Sequence, residues 1–157
     1  MEFSPIGVIR TPHVDPKGTP IQSVGAVDIE GLIELKQEYV EGLKDLDGFS
    51  HLILLYHFHR SEKYSLKVKP YLEDKGRGIF ATRYPARPNP IGLSVVRLSR
   101  IEGNKLYVLD VDMLDRTPLL DIKPFIPDVD KRENARIGWL ENRVSRMREA
   151  KSDGRIS

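Results

Sequence analysis

Residues 80–94 read Phe-Ala-Thr-Arg-Tyr-Pro-Ala-Arg-Pro-Asn-Pro-Ile-Gly-Leu-Ser. Pro85, Pro88 and Pro90 fall within six residues. They forbid a regular helix, remove three backbone donors, and push the residue before each of them into extended backbone. The stretch is therefore a stiff, irregular loop, and it carries Arg83 and Arg87. Guanidinium on a rigid loop suits a carboxylate or a phosphate, because its planar fork can bind either with two parallel hydrogen bonds. The plainer alternative is a structural ion pair with an Asp of the strands that follow. Two motif matches nearby are rejected. Residues 76–81 fit the G-x-G-x-x-A dinucleotide pattern, but that pattern needs a helix where the prolines stand. Residues 85–88 fit PxxP, but they lie between two predicted strands of a folded domain.

A second group of candidates is acidic. Residues 110–123 read Asp-Val-Asp-Met-Leu-Asp-Arg-Thr-Pro-Leu-Leu-Asp-Ile-Lys. Asp110 and Asp112 share a face, and Asp115 opens a turn signal. Such carboxylates can hold ribose hydroxyls or a cation, or take a proton; turn capping and pairing with Arg83 or Arg87 are the competing roles. Three histidines form the third group. His51, His57 and His59 would point to one face of a single strand. A His-x-His pair can bind zinc or iron. His51 lies too far along the strand to complete such a set, so hydrogen bonding in a pocket is the preferred role for His59.

The elements that must position these residues are short strands punctuated by Gly and Pro. Strands are predicted over residues 3–10, 23–29, 32–35, 51–59, 66–68, 79–82, 92–101, 106–114 and 119–125. The run 51–59 is apolar enough for a central strand buried on both faces. Residues 102–105 are a hairpin tip. Tyr39, Val40, Leu43 and Leu46 fit one short internal helix over residues 37–46. Asp130 followed by Glu133 suggests the start of a C-terminal helix. Its stripe of Ile137, Leu140, Val144 and Met147 would dock on the chain's own barrel or on a second copy. The expected fold is mainly β: an antiparallel barrel-like domain over residues 1–130, then a basic helical tail over 131–157.

Composition narrows the function. The 157 residues suit one domain. With no cysteine, disulfides, thiolate metal sites and a cysteine nucleophile are excluded. No apolar run reaches the ~20 residues that span a bilayer, and the first residues do not resemble a signal peptide. A soluble cytoplasmic protein is expected. The formal net charge is +2, but it is unevenly spread. Residues 69–100 hold seven Lys or Arg against two acids, and residues 131–157 hold eight against four. Two basic regions can face a polyanion, or can be ordinary solvated surface. No Walker A loop, G-x-S-x-G elbow, H-E-x-x-H or EF-hand loop is present.

Residues 80–94, 115–125, 47–52 and 5–12 together resemble the TsaA-like, or TrmO, family of S-adenosylmethionine-dependent tRNA methyltransferases. The resemblance spans about residues 5–140 and is of the short form, without the extra C-terminal domain of longer members. It implies an all-β, barrel-like methyltransferase with no Rossmann domain, working as a homodimer. It also implies S-adenosylmethionine as cofactor and, as substrate, N6-threonylcarbamoyladenosine beside the anticodon of tRNA, methylated at N6.

By position, the resemblance places cofactor contacts at Gln22, Ser23, His59, Arg60, Arg83, Leu93, Val111, Asp112, Met113 and Leu114. Arg60 stands where the family has Gln, and Arg116 stands where it has Gly before Thr-Pro. A carboxylate partner for the methionine portion would be Arg83 or Arg60. Asp112 suits ribose hydroxyls, and Leu93, Met113 and Leu114 suit an adenine wall. Asp115 or Asn89 would accept the proton of a weakly nucleophilic nitrogen or hold its N–H. Arg77, Arg87, Lys123 and the C-terminal arginines would meet RNA phosphates, and Tyr84 would stack on a base of the anticodon loop. The competing functions are methyl transfer to another substrate, a noncatalytic RNA-binding barrel, and a metal hydrolase built on His57, His59 and Asp112.

Overall fold

The computed structural model describes residues 1–16, 25–70 and 75–141. Alternating sequence makes most of the architecture. Among the described residues eight strands form: β1 (Gly7–Arg10), β2 (Glu30–Leu35), β3 (His51–His57), β4 (Lys67–Val68), β5 (Arg77–Gly78), β6 (Ile91–Glu102), β7 (Lys105–Leu109) and β8 (Thr117–Pro124). Six of them close into an antiparallel barrel in the order β1-β2-β7-β6-β3-β8, while β4 and β5 form a separate two-stranded ribbon. Closure leaves no unpaired sheet edge in the barrel. Inward positions then fill the interior. Ile9, Ile33, Leu52, Leu54, Val96, Leu106, Val108, Val111 and Leu119 are fully buried together with Leu35, Tyr56 and Met113. Burying each such aliphatic side chain contributes about 2 kcal/mol.

The mainly β, barrel-like fold expected from the sequence is the fold observed, with differences in its parts. β3 is not buried on both faces. Leu52, Leu54 and Tyr56 point into the barrel, while His51, Ile53, Leu55 and His57 are half-buried outside. Strand β3 ends at His57, so His59 is not on the strand with the other two histidines. The predicted strand 23–29 is absent over 25–29, a turn in which Asp28 takes φ 65°; residues 23 and 24 lie outside the described residues. The predicted strand 79–82 is a 3₁₀ turn, Ile79–Ala81, closed by the Thr82 hydroxyl donating to the Ile79 carbonyl at 2.9 Å. The predicted strand 106–114 stops at Leu109, because Asp110 adopts φ 73°, outside strand backbone.

The helical predictions also change. Residues 37–46 form a 3₁₀ helix, Gln37–Leu43, broken before a second short turn, Leu46–Gly48, by Asp45 at φ 68°. Seven residues with no fully buried side chain give an α-helix too little packing to offset its nucleation. Leu43 and Leu46 still cap the core. At the C-terminal side, the single helical turn α1 (Pro127–Asp130) comes before the expected start, and Asp130 ends it instead of capping a longer helix. Its carboxylate accepts the Ile126 N–H at 2.8 Å. Asn134 (φ 58°) and Gly138 (φ 55°) interrupt a continuation there, and among the described residues only the turn Gly138–Leu140 follows. Val144 and Met147 lie outside the described residues. Among the described residues no helix is long and apolar enough to cross a membrane.

Candidate functional site

One rim of the barrel gathers most of the chemistry. The chain leaves β1 at Arg10, leaves β3 at His57, re-enters at Ile91 and enters β8 at Thr117, where Ile9 pairs with Thr117 and His57 with Ile91. The irregular segment 110–116, which links β7 to β8, crosses this rim. Its backbone is held by side chains from the loop after β1. The Thr11 hydroxyl donates to the Met113 carbonyl at 2.8 Å, and the Thr11 N–H donates to the Asp115 carboxylate at 3.0 Å. A ring nitrogen of His13 lies 2.9 Å from the Val111 carbonyl. The Asp115 N–H donates to the His13 carbonyl at 2.8 Å, and Thr117 closes the segment by donating to the Leu114 carbonyl at 2.6 Å. Buried backbone polar groups outside the ladder must find such partners.

This clamp buries Val111, Asp112 and Met113 and leaves Leu114 half-buried. Asp112 is only 8% exposed. The Ser94 hydroxyl donates to its carboxylate at 2.7 Å, and the Tyr56 hydroxyl lies 2.7 Å from Ser94 Oγ. Burial pushes the Asp112 carboxyl up to about 7, opposed by the Ser94 hydrogen bond and by the positive charge of Arg83. Burial raises the Tyr56 hydroxyl far above its usual range, and the charge of Asp112 adds to the effect. Tyr56 fits only because its register partner is Gly92. A Cβ there would lie 2.2 Å from the Tyr56 ring and 2.8 Å from Phe58.

Arg83 is exposed on the proline loop, yet its charge acts on both Asp112 and Tyr56. The proline loop is braced from within. Arg87 donates to the carbonyls of Thr82 (3.0 Å) and Tyr84 (3.1 Å), so its guanidinium stiffens the loop that presents Arg83. His59 sits just beyond β3. Its imidazole is held below its usual range by burial first, then by His57 and Arg60, against the attraction of Asp115. Arg60 donates to the Val14 carbonyl at 3.2 Å and ties that loop to the end of β3.

The structure thus brings together Arg83, His59, Arg60, Asp115 and residues 111–114. Leu93 stands apart from them. It is 47% exposed on the outer face of β6, opposite in direction to Ser94. Asn89 is exposed on the proline loop, and its carbonyl accepts the Ile91 N–H at 2.7 Å. Gln22 and Ser23 lie outside the described residues. The RNA candidates are dispersed. Arg77 stacks over the Trp139 ring at 5.6 Å, and Lys123 pairs with Asp121 at 2.9 Å on the outside of β8. Tyr84 is half-buried.

Asp110 faces neither Arg83 nor Arg87. It binds Arg97 through two oxygens at 2.7 and 2.9 Å, and Asp28 pairs with the same guanidinium. Among the described residues no three His, Asp or Glu side chains converge as metal ligands. The residues missed from sequence are Thr11, His13, Tyr56 and Ser94. A tyrosine in an otherwise aliphatic inward row and a serine two residues after Gly92 were the available signals, since a buried hydroxyl requires a partner.

The donor set fits S-adenosylmethionine. A carboxyl able to accept from hydroxyls lies buried beside the core residues Val111 and Met113, and the guanidinium of Arg83 acts on it from the proline loop. Comparison with known proteins agrees. Residues 8–131 match the tRNA-methyltransferase O N-terminal domain. A probable S-adenosyl-L-methionine-binding protein of Pyrococcus abyssi is 56% identical over 98% of this chain and 84% of its own length. The mouse tRNA (adenine(37)-N6)-methyltransferase is 36% identical over 83% of this chain, which spans 32% of that enzyme. The crystal structure of TrmO from Pseudomonas aeruginosa superposes with a TM-score of 0.75 at 38% identity, covering 88% of this chain and 62% of that one. A matched segment that takes in the barrel, the proline loop and the rim places this chain in the tRNA-methyltransferase O family.

Proposed function

We propose that this protein is an S-adenosylmethionine-dependent tRNA methyltransferase that acts at N6 of threonylcarbamoyladenosine beside the anticodon. The observation that carries this reading is the buried Asp112 carboxyl, bonded to Ser94 and faced by Arg83, at a rim built by the family's own motifs. The cofactor supplies a methyl group made electrophilic by its sulfonium. Everything else falls to the chain. Asp112 accepts from ribose hydroxyls, Arg83 pairs with the methionine carboxylate, and Val111 and Met113 exclude water. Methyl transfer is an in-line displacement, so fixing two reactants in place accounts for much of the rate.

The acceptor nitrogen is a poor nucleophile, and a base beside it helps. Asp115 is better supported than Asn89 for that role. Its carboxylate is oriented by the Thr11 N–H, and its charge acts on His59. Asp115→Ala is expected to lower turnover about 100-fold with cofactor affinity little changed, and Asn89→Ala less than tenfold. Near-wild-type turnover in Asp115→Ala removes it from the mechanism.

RNA contact is proposed for the basic tail, residues 131–157, and for Tyr84, with Arg77, Arg87 and Lys123 adding only general positive charge because they already engage Trp139, the loop's own carbonyls and Asp121; cytoplasmic tRNA is the proposed partner. Phosphate contacts predict binding that weakens steeply with salt. A homodimer is part of the same proposal. Ile91 (45% exposed) and Leu93 (47%) join Ile53, Leu55 and Val95 in an apolar outer face flanked by the Arg97 and Lys123 ion pairs. An apolar patch with a polar rim suits a second copy. Calorimetry with S-adenosylmethionine, followed by methyl transfer to tRNA with and without the threonylcarbamoyl group, tests the function. Cofactor heat with transfer only to the modified tRNA supports it. No cofactor heat overturns it in favour of a noncatalytic RNA-binding barrel, and transfer elsewhere indicates another substrate.

A further inference from the structure

Tyr56, Ser94 and Asp112 form a chain of buried polar groups in a barrel whose other inward residues are almost all aliphatic. Ser94 has one hydroxyl proton, and it is given to Asp112. The Tyr56–Ser94 bond therefore has Tyr56 as donor. With Asp112 as the carboxylate the relay is directional, from Tyr56 through Ser94 to Asp112, and its hydrogen bonds favour that charged form. The charged or titratable groups that act on Asp112 are Arg83 from the proline loop and Tyr56 from β3. One favours the carboxylate by its charge, and the other acts through Ser94.

We propose that Tyr56 and Ser94 are positioning residues that hold the Asp112 carboxylate, so that binding of S-adenosylmethionine is coupled to loss of a proton from Asp112. The inference rests on the cofactor reading given above. A bound adenosylmethionine brings hydroxyl and ammonium donors that need an acceptor. A carboxylate accepts from them with both oxygens, whereas a protonated carboxyl presents an O–H at one. On binding, the Asp112 O–H bond breaks, its electron pair stays on the carboxylate, and the proton passes to solvent. Near neutrality both forms are populated before binding, so the release is fractional and measurable.

The test uses the full chain and two variants, Ser94→Ala and Tyr56→Phe, each of which removes one hydroxyl and keeps the packing. Carbon-13 NMR of labelled aspartate carboxyls follows Asp112 in the protein alone, with Asp112→Asn assigning its signal. The titration midpoint is expected to rise in both variants, more in Ser94→Ala. Calorimetry with S-adenosylmethionine in two buffers of different ionisation enthalpy then counts protons, and proton release is expected in the wild type and is larger in the variants. Ser94→Ala is expected to bind the cofactor about tenfold more weakly than wild type near pH 6, and within about twofold near pH 9. Unmoved midpoints, or equal weakening at both pH values, overturn the relay. Heat that does not depend on buffer overturns the coupling alone. No heat at all from the wild type refutes the cofactor reading and the coupling with it.

Discussion

A carboxyl enclosed by Val111, Met113 and the barrel interior favours its protonated form, because burial penalises the charge more than one serine hydroxyl relieves it. The consequence for stability has a definite sign. Unfolded, Asp112 releases its proton near 3.8; folded, it keeps it to about 7. Between those values the folded state binds more protons, so this residue's contribution falls as pH rises and is level above the upper value. Asp112→Asn, which keeps an acceptor for Ser94, is expected to be more stable than wild type above neutrality, by at most roughly 4 kcal/mol. Near pH 4 the two should differ little. Thermal unfolding of both proteins at the two pH values checks this. A constant difference across pH would mean that the carboxyl does not titrate on folding. Arg87 makes the complementary point about single residues. Its type and its place on a proline loop suggested a ligand, but its guanidinium is used on the loop's own carbonyls.

The elements matter through where they stop. β7 ends at Leu109 because the left-handed backbone of Asp110 cannot extend a strand, and the freed segment becomes the clamped rim. β6 begins beside the proline loop, and Gly92 lets the Tyr56 ring lie against it. Gly92→Ala is expected to cost about 1–3 kcal/mol and to lower the melting temperature by several degrees. The same substitution should move Tyr56 away from Ser94, which a Tyr56 hydroxyl NMR signal or a crystal structure would show. Loss of one clamp bond is subtler. Thr11→Val keeps the shape but orphans the Met113 carbonyl, a cost of about 1–2 kcal/mol. It is expected to weaken cofactor binding severalfold in calorimetry, because residues 111–115 lose their fixed course. The chain's single tryptophan offers a probe of the same region. The Trp139 indole donates to the Ala81 carbonyl at 2.8 Å, two residues before Arg83, so its emission should respond when S-adenosylmethionine binds.

Across the whole molecule, one barrel divides its surfaces by direction. Inward rows are core plus the Tyr56–Ser94–Asp112 chain, the rim is the candidate site, and the outer face of β3 and β6 carries an apolar patch of Ile53, Leu55, Ile91, Leu93 and Val95. If that face joins two copies, Leu93→Glu is expected to halve the mass measured by light scattering at micromolar concentration while leaving the barrel folded by circular dichroism. An unchanged mass would place the dimer contact elsewhere or show that the protein is monomeric. The arrangement also disperses basic residues that the sequence groups into two regions. Arg77 stacks on Trp139, Arg97 clasps Asp28 and Asp110, and Lys123 pairs with Asp121.

The sequence by itself determined the barrel class, because period-two alternation and Gly/Pro punctuation are local properties that each strand carries alone. It also determined the stiffness of the loop holding Arg83, since proline restricts backbone whatever surrounds it. Three things were decided only by the tertiary structure. Residues 79–82 and 106–114 had strand-like composition, but left-handed Asp110 and the Thr82 cap ended those strands. Asp110 and Asp112, two residues apart, took opposite roles, one in a solvent-side ion pair and one buried in the barrel. Tyr56 and Ser94, 38 residues apart, became partners through the β3–β6 register. Burial and pairing depend on what the rest of the chain places around a residue, and no local pattern encodes that.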